Sequence, residues 1–99
     1  MTMYKVLYQL PGKEFSFFDR NLVVAGLDQT HAFLTEVEAC SVEEVYRMMQ
    51  AEFWSPNGEA RGLIRSLGLD HTSMSVNDVV QDPYGQYWQC LMAGWRKLN

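Results

Sequence analysis

Between Ser41 and Phe53 the chain carries a pattern that few architectures satisfy. Ser41-Val42-Glu43-Glu44 reads as a capping box, in which the Ser41 hydroxyl takes up free helix amides and Glu44 reaches back. At about 100° per residue, Val42, Val45, Tyr46, Met49 and Phe53 fall in one apolar stripe of core-facing width. Glu43, Arg47 and Gln50 lie opposite, and Glu43 and Arg47 form a supportive i,i+4 pair. A stripe of that width has to be covered, and most of the remaining chain reads as strand. The spacing predicts a helix over 41–54 lying across a sheet.

The strands are identified by composition and alternation. Tyr4-Lys5-Val6-Leu7-Tyr8-Gln9 is rich in strand-favouring residues and is stopped by Leu10-Pro11-Gly12. A second strand over 31–38 is expected to set Phe33, Thr35 and Val37 on one face and Leu34, Glu36 and Glu38 on the other. Over 13–30, three Phe residues precede Leu22-Val23-Val24, and a short hairpin and an irregular loop both fit. Pro56 ends the first helix, because it biases Ser55 away from helical angles. A second helix is expected over 58–67, with Ala60, Leu63, Ile64 and Leu67 inside, Arg61 and Arg65 outside, and Gly68 as a left-handed cap. Asp82-Pro83-Tyr84-Gly85 has the residues of a type I turn and joins 78–81 to 86–92, with Trp88, Cys90 and Met92 on one face. A short strand over 95–98 follows. The expected fold is α+β: a single domain over 1–99, with an antiparallel sheet of four or five strands and two helices, 41–54 and 58–67, packed on one face.

Charge and cysteine content narrow the function. A net charge of −4 with only 8 Lys and Arg, scattered along the chain, argues against general nucleic-acid binding. The 2 cysteines are too few for a disulfide framework, Met1-Thr2-Met3 does not open a signal peptide, and no apolar run is long enough for a membrane span. The expected location is the cytoplasm, with both thiols reduced. Glu36, Glu38, Glu43 and Glu44 cluster as an acidic patch suited to a basic partner.

The most distinctive run is His71-Thr72-Ser73-Met74-Ser75-Val76-Asn77-Asp78-Val79-Val80. Ser73, Ser75 and Asp78 are placed to bond nearby backbone amides, and Asn77 suits a positive φ. The run reads as a structural clasp leading into the hairpin, in which glycine would serve at Asn77 equally well. Together with Tyr87-Trp88-Gln89-Cys90, Gly94-Trp95 and the opening strand, this Ser-Met-Ser-Val-x-Asp-Val-Val signature resembles the YodL-like group of small domains carried by plasmids, phages and integrative elements. Asn77 stands where that group often has glycine. The resemblance implies a fold and a mobile-element context, and it implies no catalytic residue.

Chemistry-bearing constellations are sparse. A thiol nucleophile needs a base in reach, and the available members are Cys40, Cys90, His31 and His71. Cys90 reads as a buried hydrophobe, while Cys40 precedes a helix N-terminus, where the dipole favours a thiolate. The two Cys and two His lack metal-site spacing, Asn57-Gly58-Glu59 is a weak phosphate loop, and Asp70, Asp78 and Asp82 read as turn residues. No catalytic residue, metal or cofactor is expected. The expected function is that of a non-enzymatic accessory or interaction protein with a protein partner. Its candidate contact residues are Trp54, Tyr84, Arg61 and Arg65, with Glu36, Glu38, Glu43 and Glu44; a homodimer is compatible. The alternative is an anti-defence or regulatory protein that touches a nucleic-acid-handling complex through the acidic patch. A small cysteine-dependent enzyme ranks third.

Overall fold

The structure is a computed structural model that describes residues 2–11, 22–51, 54–55 and 57–98. Five strands form one antiparallel sheet: β1 Thr2–Gln9, β2 His31–Ala39, β3 Val79–Gln81, β4 Tyr87–Cys90 and β5 Trp95–Lys97, in the order β2-β1-β3-β4-β5. Among the described residues, three α-helices accompany it: α1 Leu27–Thr30, α2 Val42–Met48 and α3 Glu59–Ser66. The first strand in sequence is thus central in space, paired on one side with β2 and on the other with β3.

Alternation along β1 decides which face carries the main core. Tyr4, Val6 and Tyr8 are buried on the helix side, against Val45 and Met49 from α2 and Ile64 from α3. Complete burial of an apolar side chain such as Val45 or Met49 stabilises by roughly 1.5–3 kcal/mol, which is what fixes the helices to this face. On the other face, among the described residues, a smaller cluster of Leu22, Leu27 and Val79 covers the end of the sheet near α1.

The expected face assignment in β2 holds for Thr35 and Val37 and fails for Phe33 and Leu34. Val6 stands opposite Thr35, but the next residue, Leu7, stands opposite Phe33, so Leu34 is the extra residue of a bulge. One inserted residue reverses the alternation beyond it. Leu34 therefore enters the core, and Phe33 emerges half-exposed beside the Glu36 and Glu38 side of the strand.

The first helix is shorter than expected. Its start follows the sequence: Ser41 Oγ accepts from Glu44 N at 3.1 Å, and Glu44 Oε1 reaches back to Cys40 N at 2.8 Å. Its end is set by a distant loop. Met74 N donates to the Met49 carbonyl at 2.9 Å, and Ala51 N donates to Ser73 Oγ at 2.6 Å, so the backbone leaves the helix and Ala51 takes a φ of 52°. These long-range bonds replace the helical ones that the stripe would have continued. Tyr46 consequently lies exposed, and Met48 packs against the core. Arg47 approaches Glu44, at 4.0 Å, in place of the expected Glu43.

The second helix matches its expected span, with Gly58 left-handed before it and Gly68 left-handed after it. The hairpin turn also follows the sequence. Asp82 N and the Gln86 carbonyl close it at 2.8 Å, Asp82 Oδ1 accepts from Tyr84 N and Gln86 N, and Trp88 Nε1 donates to Oδ2. Met92 falls beyond β4 and is exposed, so it does not continue the Trp88 and Cys90 face. Val24–Gly26 forms a 3-10 turn and Leu27–Thr30 forms α1, so the described part of 13–30 contains no strand; residues 13–21, with Phe15, Phe17 and Phe18, and also Phe53 and Pro56, lie outside the described residues.

Candidate functional site

The signature run builds a buried polar clasp. Asp78 is 1% exposed, and three donors converge on its carboxylate. Gln9 N reaches Oδ1 at 2.7 Å, while Ser75 N and His71 Nε2 reach Oδ2 at 2.8 and 2.9 Å. His71 Nδ1 lies 3.0 Å from Asp70 Oδ1, so each ring nitrogen faces a carboxylate. The ring also stacks on Tyr8, with centroids 4.6 Å apart, and the Tyr8 hydroxyl donates to the Thr72 carbonyl at 2.8 Å.

This geometry fixes the protonation of His71. Burial alone would lower its pKa, but the hydrogen bonds and charges of Asp78 and Asp70 outweigh that, and the value is pushed up to about 9. Burial raises Asp78 above the ordinary carboxylate value, while His71 and the amides of Gln9 and Ser75 pull it part of the way back. An imidazolium with both N–H groups given to carboxylates has no lone pair to act as a base. The clasp holds charge and position. Sequence reading missed it, because Asp70 and Asp78 resemble turn residues and the contact between His71 and Asp78 spans an irregular loop.

Asn77 joins the clasp from the next position. It is buried with a φ of 78°, as expected, its amide donates to the Cys90 carbonyl at 2.8 Å, and its carbonyl accepts from His31 Nε2 at 2.7 Å. Of the three residues expected to bond nearby amides, Asp78 does so at Ser75 N, whereas Ser75 Oγ donates to the Ser73 carbonyl and Ser73 Oγ accepts from the distant Ala51 N. Above His71 opens a cleft of about 790 Å³, walled by Arg61 and Arg65 of α3 and by the hydroxyls of Thr72 and Ser73.

The remaining candidate contact residues are dispersed. Trp54 is half-buried rather than exposed: its Nε1 donates to the Thr72 carbonyl at 3.1 Å and its ring packs against the core. Tyr84 is 89% exposed at the hairpin tip. The four carboxylates do not make one patch. Glu36 and Glu38 project from β2 on the face opposite the helices, opposite Lys5 and Met3, whereas Glu43 and Glu44 begin α2 on the helix side and Glu44 serves the cap. Cys90 is buried, and burial and the Asp78 charge push its thiol up to about 11; Cys40 is exposed beside the helix cap.

The sheet face opposite α2 and α3, which α1 overlies at one end, carries exposed apolar side chains. Met3 and Phe33, 48% and 50% exposed, stand there with Lys5, Glu36 and Glu38. A cleft of about 410 Å³ runs from Met3, Lys5 and Glu36 to Gln81 and the Asp82–Gly85 turn. Sequence reading missed this surface because the bulge at Leu34 decides where Phe33 points. Among the described residues, no cluster of His, Cys, Asp and Glu is arranged to hold a metal ion, and no helix is long and apolar enough to cross a membrane. Comparison with family models, curated proteins and solved structures found no match.

Proposed function

We propose that the domain is a non-enzymatic interaction module that binds a protein partner through the sheet face opposite α2 and α3. The observation that carries this reading is the exposure of Met3 and Phe33 beside Lys5, Glu36 and Glu38. Met3 and Phe33 flank the Lys5 and Glu36 pair, so the face offers apolar contact at two points and charge between them to orient a partner. The two-carboxylate hold on His71 and the raised thiol of Cys90 favour this reading over a cysteine-dependent enzyme. The separation of Glu36 and Glu38 from Glu43 and Glu44 weakens the alternative of an acidic patch directed at a nucleic-acid-handling complex. The YodL-like resemblance adds a mobile-element origin to the proposal.

The test is quantitative co-purification from native lysate with the wild type and a Met3→Ser, Phe33→Ser double variant. Both residues are half-exposed, so the melting temperature should hold while the co-purifying protein is lost. Retention by the double variant, with loss in Arg61→Glu, Arg65→Glu instead, would move the site to the His71 cleft and overturn the reading.

A further inference from the structure

Among the described residues, β2 is the longest strand, at 9 residues, and it lies at an edge of the sheet. A long edge presents a row of backbone N–H and C=O groups to any extended segment able to align with it. Its side chains define what that segment must carry. On the face opposite α2 and α3 the edge shows Phe33, Glu36 and Glu38; on the other it shows the half-buried Thr35 and Val37. The inner neighbour of Glu36 is Lys5, but the inner neighbour of Glu38 is Met3, which offers no charge. The two carboxylates thus have one cation on the inside, and an added strand would meet them from the outside.

We propose that the β2 edge accepts an extended basic segment of a partner protein by strand addition, with lysine or arginine side chains against Glu36 and Glu38 and β-branched or apolar ones beside Thr35 and Val37. Main-chain hydrogen bonds supply affinity in this mode, and alternate side chains supply specificity. A second copy of the chain fits less well. β2 carries no lysine or arginine, so a second β2 would bring further glutamates to the edge and no such cation to meet Glu36 and Glu38. The other sheet edge, β5, has 3 residues and so offers little to an edge of nine. The inference rests on the interaction-module reading and names the chemistry of the partner.

The test uses a synthetic peptide alternating lysine and valine over the length of β2, titrated into the isotope-labelled full chain. Backbone amide shifts and exchange protection should appear along 32–39. Charge reversal in Glu36→Lys, Glu38→Lys should weaken binding about tenfold, as expected for two reversed cross-strand pairs, and should confer binding of the glutamate-valine peptide. N-methylation of alternate peptide amides should abolish binding by the wild type. Binding that survives N-methylation would reduce the effect to surface charge and overturn strand addition. Self-association of the chain alone, lost in the charge-reversed variant, would assign the edge to a second copy. No binding of the lysine peptide would mean that the carboxylates only guard the edge. If the peptide fails while Met3→Ser, Phe33→Ser still loses its co-purifying protein, the face reading stands without strand addition; if that protein is also retained, both fall.

Discussion

Asn77 Oδ1 accepts a hydrogen bond from Gln89 Nε2 at 2.8 Å, and both side chains are buried where the chain turns into β3. The position therefore has two requirements: a backbone that tolerates a φ of 78° and an acceptor for a buried amide. Glycine meets only the first. Asn77→Gly is expected to lose roughly 1–3 kcal/mol, the cost of removing one partner from a buried bond, partly offset by relief of the backbone. Asn77→Val fails on both counts and adds about 1–3 kcal/mol of strain. In thermal melts each kcal/mol is worth about 4–8 °C in a domain of this size, so both variants should melt lower, valine the more so. An unchanged melting temperature for Asn77→Gly would show that the Gln89 bond contributes no more than the backbone relief returns.

Stability should fall as pH rises past neutrality, because His71 holds its proton more tightly in the fold than in the unfolded chain. Its folded value of about 9 exceeds the ordinary 6.5. The contribution is therefore complete below pH 6.5 and is lost progressively as pH climbs toward 9. Melting curves at pH 6 and pH 9.5 should differ for the wild type by more than for His71→Gln. Parallel pH dependence in the two proteins would remove His71 as the source.

The two carboxylates that grip His71 should differ sharply in importance. Asp78 is 1% exposed at its side chain and Asp70 61%. Asp78→Asn puts an amide where Oδ1 and Oδ2 both accept, leaving a donor facing donors in a buried site. A loss of about 3–5 kcal/mol is expected, the usual result of breaking one side of a buried ion pair. Asp70→Asn should cost less than about 1 kcal/mol, as exposed pairs do. Urea denaturation of the two variants measures both values, and equal losses would contradict the burial argument.

Native-state alkylation should modify Cys40 alone. Cys90 is 3% exposed with its thiol raised to about 11, so it should react only after denaturation. Mass spectrometry of iodoacetamide-treated protein should show one adduct before unfolding and two after. Rapid labelling of Cys90 in the native state would place it in an open and reactive setting.

The sequence revealed those features of the fold that local chemistry controls. The capping box at Ser41, the Asp82 to Gly85 turn, the left-handed Gly68 and Asn77, and the inner face of α3 each follow from residues close together in the chain. What it hid was settled over long distances. The end of α2 is set by Ser73 and Met74, which capture Ala51 N and the Met49 carbonyl in place of another helical turn. The exposure of Phe33 is set by one extra residue in β2, which no period-two pattern records. The hold on His71 required Asp78 to be carried back against Gln9 by the pairing of β3 with β1.

That pairing makes the order of synthesis differ from the order of assembly. β1 emerges first, yet its second neighbour, β3, belongs to the last third of the chain. At roughly 5–20 residues per second, the opening strand waits several seconds for that neighbour to be made. Until then β1 has at most β2 beside it, and an isolated pair of strands is marginal in water. A chain interrupted between Ser66 and Asp78 would contain both of those strands and α3, yet lack β3 on the inner side of β1 and the Asp78 carboxylate that receives the Gln9 amide. The domain is complete only once its C-terminal third has joined the sheet.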